Sequence, residues 1–398
     1  MPEPRLFTIP PGAPFLPTLA DALVSGRLVG PLGDDPLALA AVTLYLPTRR
    51  AVRALGGVLA ERLGRAALLP RLIALGEGDD AEFDIAAGGA PGAARAVLAP
   101  SMPPLERRLV LMGLVQAWAR SVDRAPLPLG EGVPFGVPSS PADAVALAGD
   151  VEGLMDALTV EGVPWEEIAG AVEAEYSRYF GLTLDFLRIA AEHWPRILGE
   201  RDLSDPVFRA RSLVVAEAER LARETPADPV IVAGSTGSTP ATARLIRAVL
   251  GLPRGAAVLP GLDGDLDEAG WAAIGTEGEI AHGHPQAVLH RLLERDLRLS
   301  RSAAIRLGEV SETVRAREAM LSQALRPAAT TDAWARLDPA ERDRLVTLGL
   351  DGLSVVEAGD EREEALIAAI ALRETLETPG RVAALVTPDR ALAMRVAA

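Results

Sequence analysis

Residues 229–250 read PVIVAGSTGSTPATARLIRAVL, and this stretch decides the fold. Pro229-Val-Ile-Val-Ala233 is a short run with no polar side chain, as a strand covered on both faces requires. The turn Gly234-Ser-Thr-Gly-Ser-Thr239 follows, with glycines suited to positive φ and hydroxyls suited to capping. Pro240 then opens a helical pattern to Leu250, where a proline at the first helical position loses no intrahelical bond. A strand passing through such a turn into a helix is half of a βαβ unit. The pattern recurs upstream: Ala41-Val-Thr-Leu-Tyr-Leu46 stops at Pro47, and Thr48 is placed to cap a helix. In that helix Ala51, Leu55, Val58, Leu59 and Leu63 share one face. Downstream, Ala256-Ala-Val-Leu259 supplies another strand. These runs predict one mostly parallel α/β sheet whose strands near 42–46, 229–233 and 256–259 lie together.

The interval between the first two strands reads as a helical block. Helices are expected from Pro104 to Arg120, from Pro141 through Leu158, from Trp165 to Tyr179, from Leu182 to Leu198 and from Pro206 to Glu224. Ser140-Pro-Ala-Asp143 has serine at the N-cap, proline at N1 and an acid at N3. Residues 64–100 read as loop or short elements, and 121–140 as a long loop. Further helices are expected at 288–295 and 313–325. Strands at Leu353–Ala358 and Ala383–Val386 flank a helix from Glu361 to Glu377, with another helix from Asp389. That ending predicts the start of a second α/β domain, so the chain is expected to be the front of a longer protein.

Composition narrows the chemistry. The chain has 398 residues, long enough for two or more domains. Its 40 basic and 55 acidic residues leave a net charge of −15, which argues against a protein that coats nucleic acid while permitting a local basic groove. There is no cysteine, hence no disulfide, thiolate metal site or cysteine nucleophile within these residues. Every basic residue is arginine. The chain therefore supplies no phosphate-loop lysine, Schiff-base lysine or lysine general base. The N-terminus lacks the charged and apolar regions of a signal peptide. The longest apolar run, Leu37 to Leu46, falls short of the roughly 20 residues of a membrane helix. A cytoplasmic protein with no membrane partner is expected.

Four groups of residues invite a functional reading. Gly234, Ser235, Thr236 and Gly237 stand where backbone N–H groups at a helix N-terminus can hold an anion, but the turn matches neither the phosphate-loop nor the dinucleotide glycine spacing. A structural turn is the competing reading, and Ser235 and Ser238 lack the Gly-x-Ser-x-Gly setting of a nucleophile. Gly12, in Ile9-Pro-Pro-Gly-Ala-Pro-Phe-Leu-Pro17, precedes an apolar helix as a phosphate loop would, among prolines that carry no N–H. His282, His284 and His290 lie near Glu277, Glu279, Asp263 and Asp265, a loose metal-ligand set that reads rather as a polar loop; His193 reads as a helix-end residue. Thr48, Arg49 and Arg50 sit at the carboxyl end of a strand, where they can grip a backbone phosphate or simply form a solvated first helical turn.

Several of these segments together resemble the AddB family of its alphaproteobacterial type. They are Ile9–Pro17, Tyr45-Leu-Pro-Thr-Arg-Arg-Ala51, Ala233–Ala243, Val258-Leu-Pro-Gly-Leu-Asp263, His284-Pro-Gln286, Ala358–Ala365 and Ala384–Arg390, in order over essentially the whole chain. AddB is the second subunit of the AddAB helicase–nuclease that processes double-strand breaks. The resemblance implies a RecA-like, superfamily 1 helicase-like domain 1A at 1–103 and 226–265. It implies a helical 1B-like insertion at 104–225, a connecting helical region at 266–349 and the start of domain 2A at 350–398. The phosphate-loop position, Pro10 to Pro17, has lost Gly-Lys-Thr, and Gly234-Ser-Thr-Gly237 replaces the acidic pair that serves Mg²⁺ and water in active helicases. The resemblance thus implies an ATPase-dead scaffold that guides DNA and docks on the motor subunit AddA, with Thr48, Arg49 and Arg50 at the strand-contacting motif. The family's iron–sulfur cluster and nuclease Mg²⁺ belong to a C-terminal part, so no cofactor is expected here. Open alternatives are a small-molecule enzyme with a phosphate at 234–239 and a pure protein-interaction module.

Overall fold

The computed structural model describes residues 4–32, 37–64, 68–75, 98–121, 138, 140–165, 167, 186–187, 189–275 and 283–398. The strands are β1 (Leu6–Ile9), β2 (Thr43–Leu46), β3 (Arg71–Ala74), β4 (Val230–Ala233), β5 (Gly255–Pro260) and β6 (Ile305–Arg306). They form one sheet in the order β3-β2-β4-β5-β1-β6. Every pairing is parallel, with Leu44 opposite both Leu72 and Ile231, and Phe7 opposite Val258. This is the α/β, RecA-like layout with a helical insertion, here entering after β3 and leaving before β4.

The period of two along each strand divides the core between the two faces. Phe7, Ile9, Leu44, Leu46, Ile231 and Val258 face α1 (Phe15–Val24) and α2 (Arg49–Leu63), meeting Leu19, Leu23, Leu55 and Leu59. Leu6, Tyr45, Val230, Val232, Ala257 and Leu259 point to the opposite face. The insertion contains α3 (Pro104–Ser121), α4 (Pro141–Glu161), α5 (Trp194–Arg201) and α6 (Pro206–Glu224). Leu213, Val214, Ala218 and Leu221 of α6 join the second sheet face together with α7 (Pro240–Leu250). The helices α3, α4 and α5 instead surround a core of their own, built from Met102, Leu111, Val115, Trp118, Ala148 and Trp194. Ser140 and Asp143 close the expected capping box on α4.

The chain after β5 adds α8 (Glu268–Ile274), α9 (Ala287–Arg291) with a π-helical extension over Leu292–Leu297, α10 (Glu312–Ala324), α11 (Pro339–Gly349), α12 (Glu361–Leu376) and α13 (Arg390–Ala397).

Several elements differ from the sequence reading. Arg71–Ala74, within the stretch expected as loop or short elements, is an edge strand, and Leu6–Ile9 is a buried one. Arg71 opens the one run and Thr8 interrupts the other, so neither stands out as apolar. Leu353–Ala358 and Ala383–Val386, expected as strands, belong to no sheet, and Val355 and Val386 are each 92% exposed. Strand propensity reflects fit to a pleated, half-buried surface, and neither segment has one to lie on. Most of the loop expected at 121–140 and of the helix expected at 165–179 lies outside the described residues, as does the first part of the helix expected at 182–198. The rest of that last helix is Ile189–His193, a π-type turn, leading into α5. No helix among the described residues is long and apolar enough to cross a membrane.

Candidate functional site

The carboxyl ends of β1, β2, β4 and β5 gather the loops where a parallel sheet binds ligands. The loop after β1 is the first test of the phosphate-loop position. Pro10, Pro11 and Pro14 carry no N–H, leaving only Gly12 and Ala13 as donors between them. Ala13 N–H donates to the Pro10 carbonyl at 3.1 Å. Gly12 N–H donates to the Glu318 carboxylate at 3.4 Å, and Glu318 Oε2 accepts from Arg306 at 2.7 Å. A phosphate entering here would meet a carboxylate where it needs N–H donors.

The turn after β4 is closed in a different way. Gly234 adopts φ +75, and a Cβ built on it would lie 3.3 Å from the Phe15 ring and 3.5 Å from Pro47. Phe15, the first residue of α1, thus fills the space over Gly234. Gly234 N–H donates to the Val258 carbonyl at 2.9 Å, and Gly237 N–H to Ser235 Oγ at 3.2 Å. Gly237, at φ +64, packs against Leu292, while Arg291 donates to the Ser238 carbonyl. Thr239 Oγ1 caps α7 by accepting from Thr242 N–H at 3.2 Å. Thr236 lies at the centre of this turn, half-buried.

At the end of β2, Thr48 Oγ1 accepts from Ala51 N–H at 3.1 Å and starts α2. Arg49 is half-buried, and Arg50 and Arg53 are exposed on the first turns of α2. Arg49, Arg50 and Arg53 belong to the first turns of a helix whose N-terminal partial positive charge adds to theirs toward an anion. Arg53 was not singled out from sequence, although its spacing from Arg49 and Arg50 puts it on the same turns.

The histidine-rich loop divides. His282, Glu277 and Glu279 lie outside the described residues. His284 Nε2 bonds the Leu325 carbonyl at 2.9 Å, and its Nδ1 accepts from Gln286 N–H at 3.1 Å. His290 lies against Trp271, ring centroids 4.9 Å apart, and burial holds its pKa below the ordinary histidine value. Asp263 Oδ1 accepts the N–H groups of Asp265 and Leu266, and Asp265 pairs with Arg315. His284 and Asp263 thus hold loop backbone, Asp265 also holds an ion pair, and His290 packs between helices. Among the described residues no three His, Asp or Glu side chains gather into a metal-binding group. His193, expected at a helix end, is instead the last residue of the π-type turn and runs without a break into α5.

Beside the β1 and β5 loops, α10 closes a cavity of about 430 Å³ lined in part by Gly12, Asp263, Gln286, Arg317, Glu318 and Ser322. Sequence reading found Gly12 and Asp263 in separate contexts and gave no sign that α10 joins them. The chain matches no family model and no curated protein.

Proposed function

We propose that this chain is a helicase-like scaffold without ATPase activity, acting as an AddB-type subunit beside an AddA-type motor in double-strand-break processing. One observation carries the reading: both N–H donors between Pro10 and Pro14 are bonded within the protein while Phe15 covers Gly234. A RecA-like sheet that keeps its architecture but fills both ends of the nucleotide crevice can still position a strand and a partner. No arginine stands in for the missing lysine in either loop, since neither residues 10–17 nor 234–239 contain one. On this reading the protein works in the cytoplasm, with DNA and the motor subunit as its partners. Thr48, Arg49 and Arg50 hold backbone phosphates without reading bases, and the net charge of −15 keeps the contact local and salt-sensitive.

Two measurements test it. Purified protein is expected to show no ATP turnover above background with or without single-stranded DNA; saturable, DNA-stimulated hydrolysis overturns the scaffold reading. In complex with the motor, replacing Arg49 and Arg50 together by Ala is expected to weaken DNA binding about equally for all sequences. It should also flatten the salt dependence by about one to two phosphates' worth. An unchanged affinity and salt slope removes these arginines from the interface.

A further inference from the structure

The connections leaving β1 and β5 part company. β1 feeds α1 on the face shared with α2, whereas β5 feeds Leu262, Leu266, Trp271 and Leu292 on the opposite face. The two strands are direct neighbours, with Ile9 opposite Pro260. In an open parallel sheet, ligands bind outside the carboxyl ends of strands where successive connections diverge in this way. The cavity under α10 lies at that point, and its volume of about 430 Å³ falls within the range of small-molecule sites.

Its lining is chemically uneven. Leu262, Leu321 and Leu325 make it largely apolar. Ser322 also lines it, is only 6% exposed, and its hydroxyl has no hydrogen-bond partner. A helical serine can turn its hydroxyl back onto the carbonyl four residues earlier, and this one does not. A buried hydroxyl without a partner is costly, so a bonding group in the cavity is favoured there.

The charges sort in a similar way. Glu318 pairs with Arg306 and Asp265 with Arg315. Asp263 and Arg317 are left as one anion and one cation, neither in an ion pair among the described residues. Arg317 donates Nε to the Gly349 carbonyl at 2.9 Å and another nitrogen to the Asp351 carbonyl, which fixes the guanidinium without neutralising it. A polyanion is disfavoured, because Glu318 holds the Gly12 N–H. A ligand with no net charge, one ammonium and one carboxylate matches what is left.

We propose that this cavity binds a small zwitterion with an apolar body, of the size of an apolar amino acid or dipeptide. Asp263 takes the ammonium and Arg317 the carboxylate, Ser322 Oγ bonds a polar group of the ligand, and the three leucines cover its side chains. The proposal is independent of the DNA reading.

Titration calorimetry of the whole chain with L-leucyl-L-leucine tests it, with N-acetyl-L-leucyl-L-leucinamide as the probe lacking both charges. Saturable one-site binding is expected for the zwitterion and much weaker binding for the blocked peptide. Ser322→Ala should weaken the zwitterion roughly five- to tenfold while leaving Tm unchanged or slightly raised, because the variant removes an orphaned hydroxyl. Asp263→Asn retains an oxygen for the loop N–H groups and should weaken the dipeptide but not N-acetyl-leucyl-leucine. No saturable heat, equal affinity for the blocked peptide, or indifference to both variants overturns the proposal and leaves a cavity that holds ordered water only. ATP turnover, measured separately, overturns the scaffold reading and leaves this one standing.

Discussion

Tyr45 shows how one side chain can hold an insertion to a sheet. It lies on β2 with no exposed surface, and its hydroxyl donates to Glu217 on α6, a residue 172 positions away. Arg220 grips both oxygens of the same carboxylate, at 2.9 and 2.8 Å. Burial, reinforced by the Glu217 charge, raises the Tyr45 pKa well above its ordinary value, and Arg220 offsets only part of this. The folded state therefore keeps the phenolic proton at pH values where the unfolded chain has released it. The sign follows: the contribution is complete below the unfolded value near pH 10 and declines as pH climbs toward the folded value. With no lysine and no cysteine, the alkaline side-chain titration of this chain falls to its 3 tyrosines. Tyr45→Phe is expected to cost about 1–2 kcal/mol at pH 8, since Glu217 loses one of its partners. The deficit should shrink when denaturation is repeated at about pH 11. A deficit that is the same at both pH values would show that Tyr45 does not ionise on unfolding in that window.

At the scale of elements, Asp205 is the N-cap of α6 and also an acceptor for two other helices. Its Oδ1 accepts from Val207 and Phe208 N–H, at 2.9 and 3.2 Å. Its Oδ2 faces Arg107 of α3 at 2.9 Å and Trp194 of α5 at 3.2 Å. Arg107 is buried and also meets Glu152 and Asp156 of α4, so the cap lies inside an ionic cluster. Asp205→Ala is expected to cost about 3–5 kcal/mol, because it removes a cap and one partner of a buried guanidinium together. Asp205→Asn keeps the capping oxygen and should lose roughly half as much; urea midpoints of the two variants measure the difference. This cluster also marks what the sequence makes legible. Proline at N1 after Asp205 and Ser140 is a local signal, and both helices begin where that signal puts them. The strands expected near 42–46, 229–233 and 256–259 were equally legible and form at 43–46, 230–233 and 255–260, because largely apolar runs ending at Pro or Gly carry their own boundaries. Leu353–Ala358 also carries strand formers, interrupted by Ser354 and Glu357, and forms no strand, because a strand needs a neighbour that the run itself does not encode. The candidate site was half legible. Thr48 and the 234–239 turn follow from strand–turn–helix grammar. The Gly12 to Glu318 contact joins residues 306 apart, and no local pattern announces it.

For the molecule as a whole, the insertion has a core that shares no member with either face of the sheet. Its ties to the sheet run through few elements. Among the described residues, helix α6 packs Leu213 and Leu221 on the sheet face, Arg209 of α6 donates to the Leu98 carbonyl at 2.7 Å, and α4 touches α7. Separate cores open separately where few elements join them, since the cost of exposing one need not include the other. Leu111, fully buried on α3, makes the test. Leu111→Ala is expected to destabilise its surroundings by about 2–5 kcal/mol through lost transfer energy and the cavity left behind. Native-state hydrogen exchange should then show faster exchange in α3 and α4, with protection of β4 and β5 unchanged. Ile231→Ala, at the centre of the sheet, should lower protection in the sheet and in α6. Equal loss of protection in β4 after Leu111→Ala would mean that the insertion and the sheet unfold as one unit.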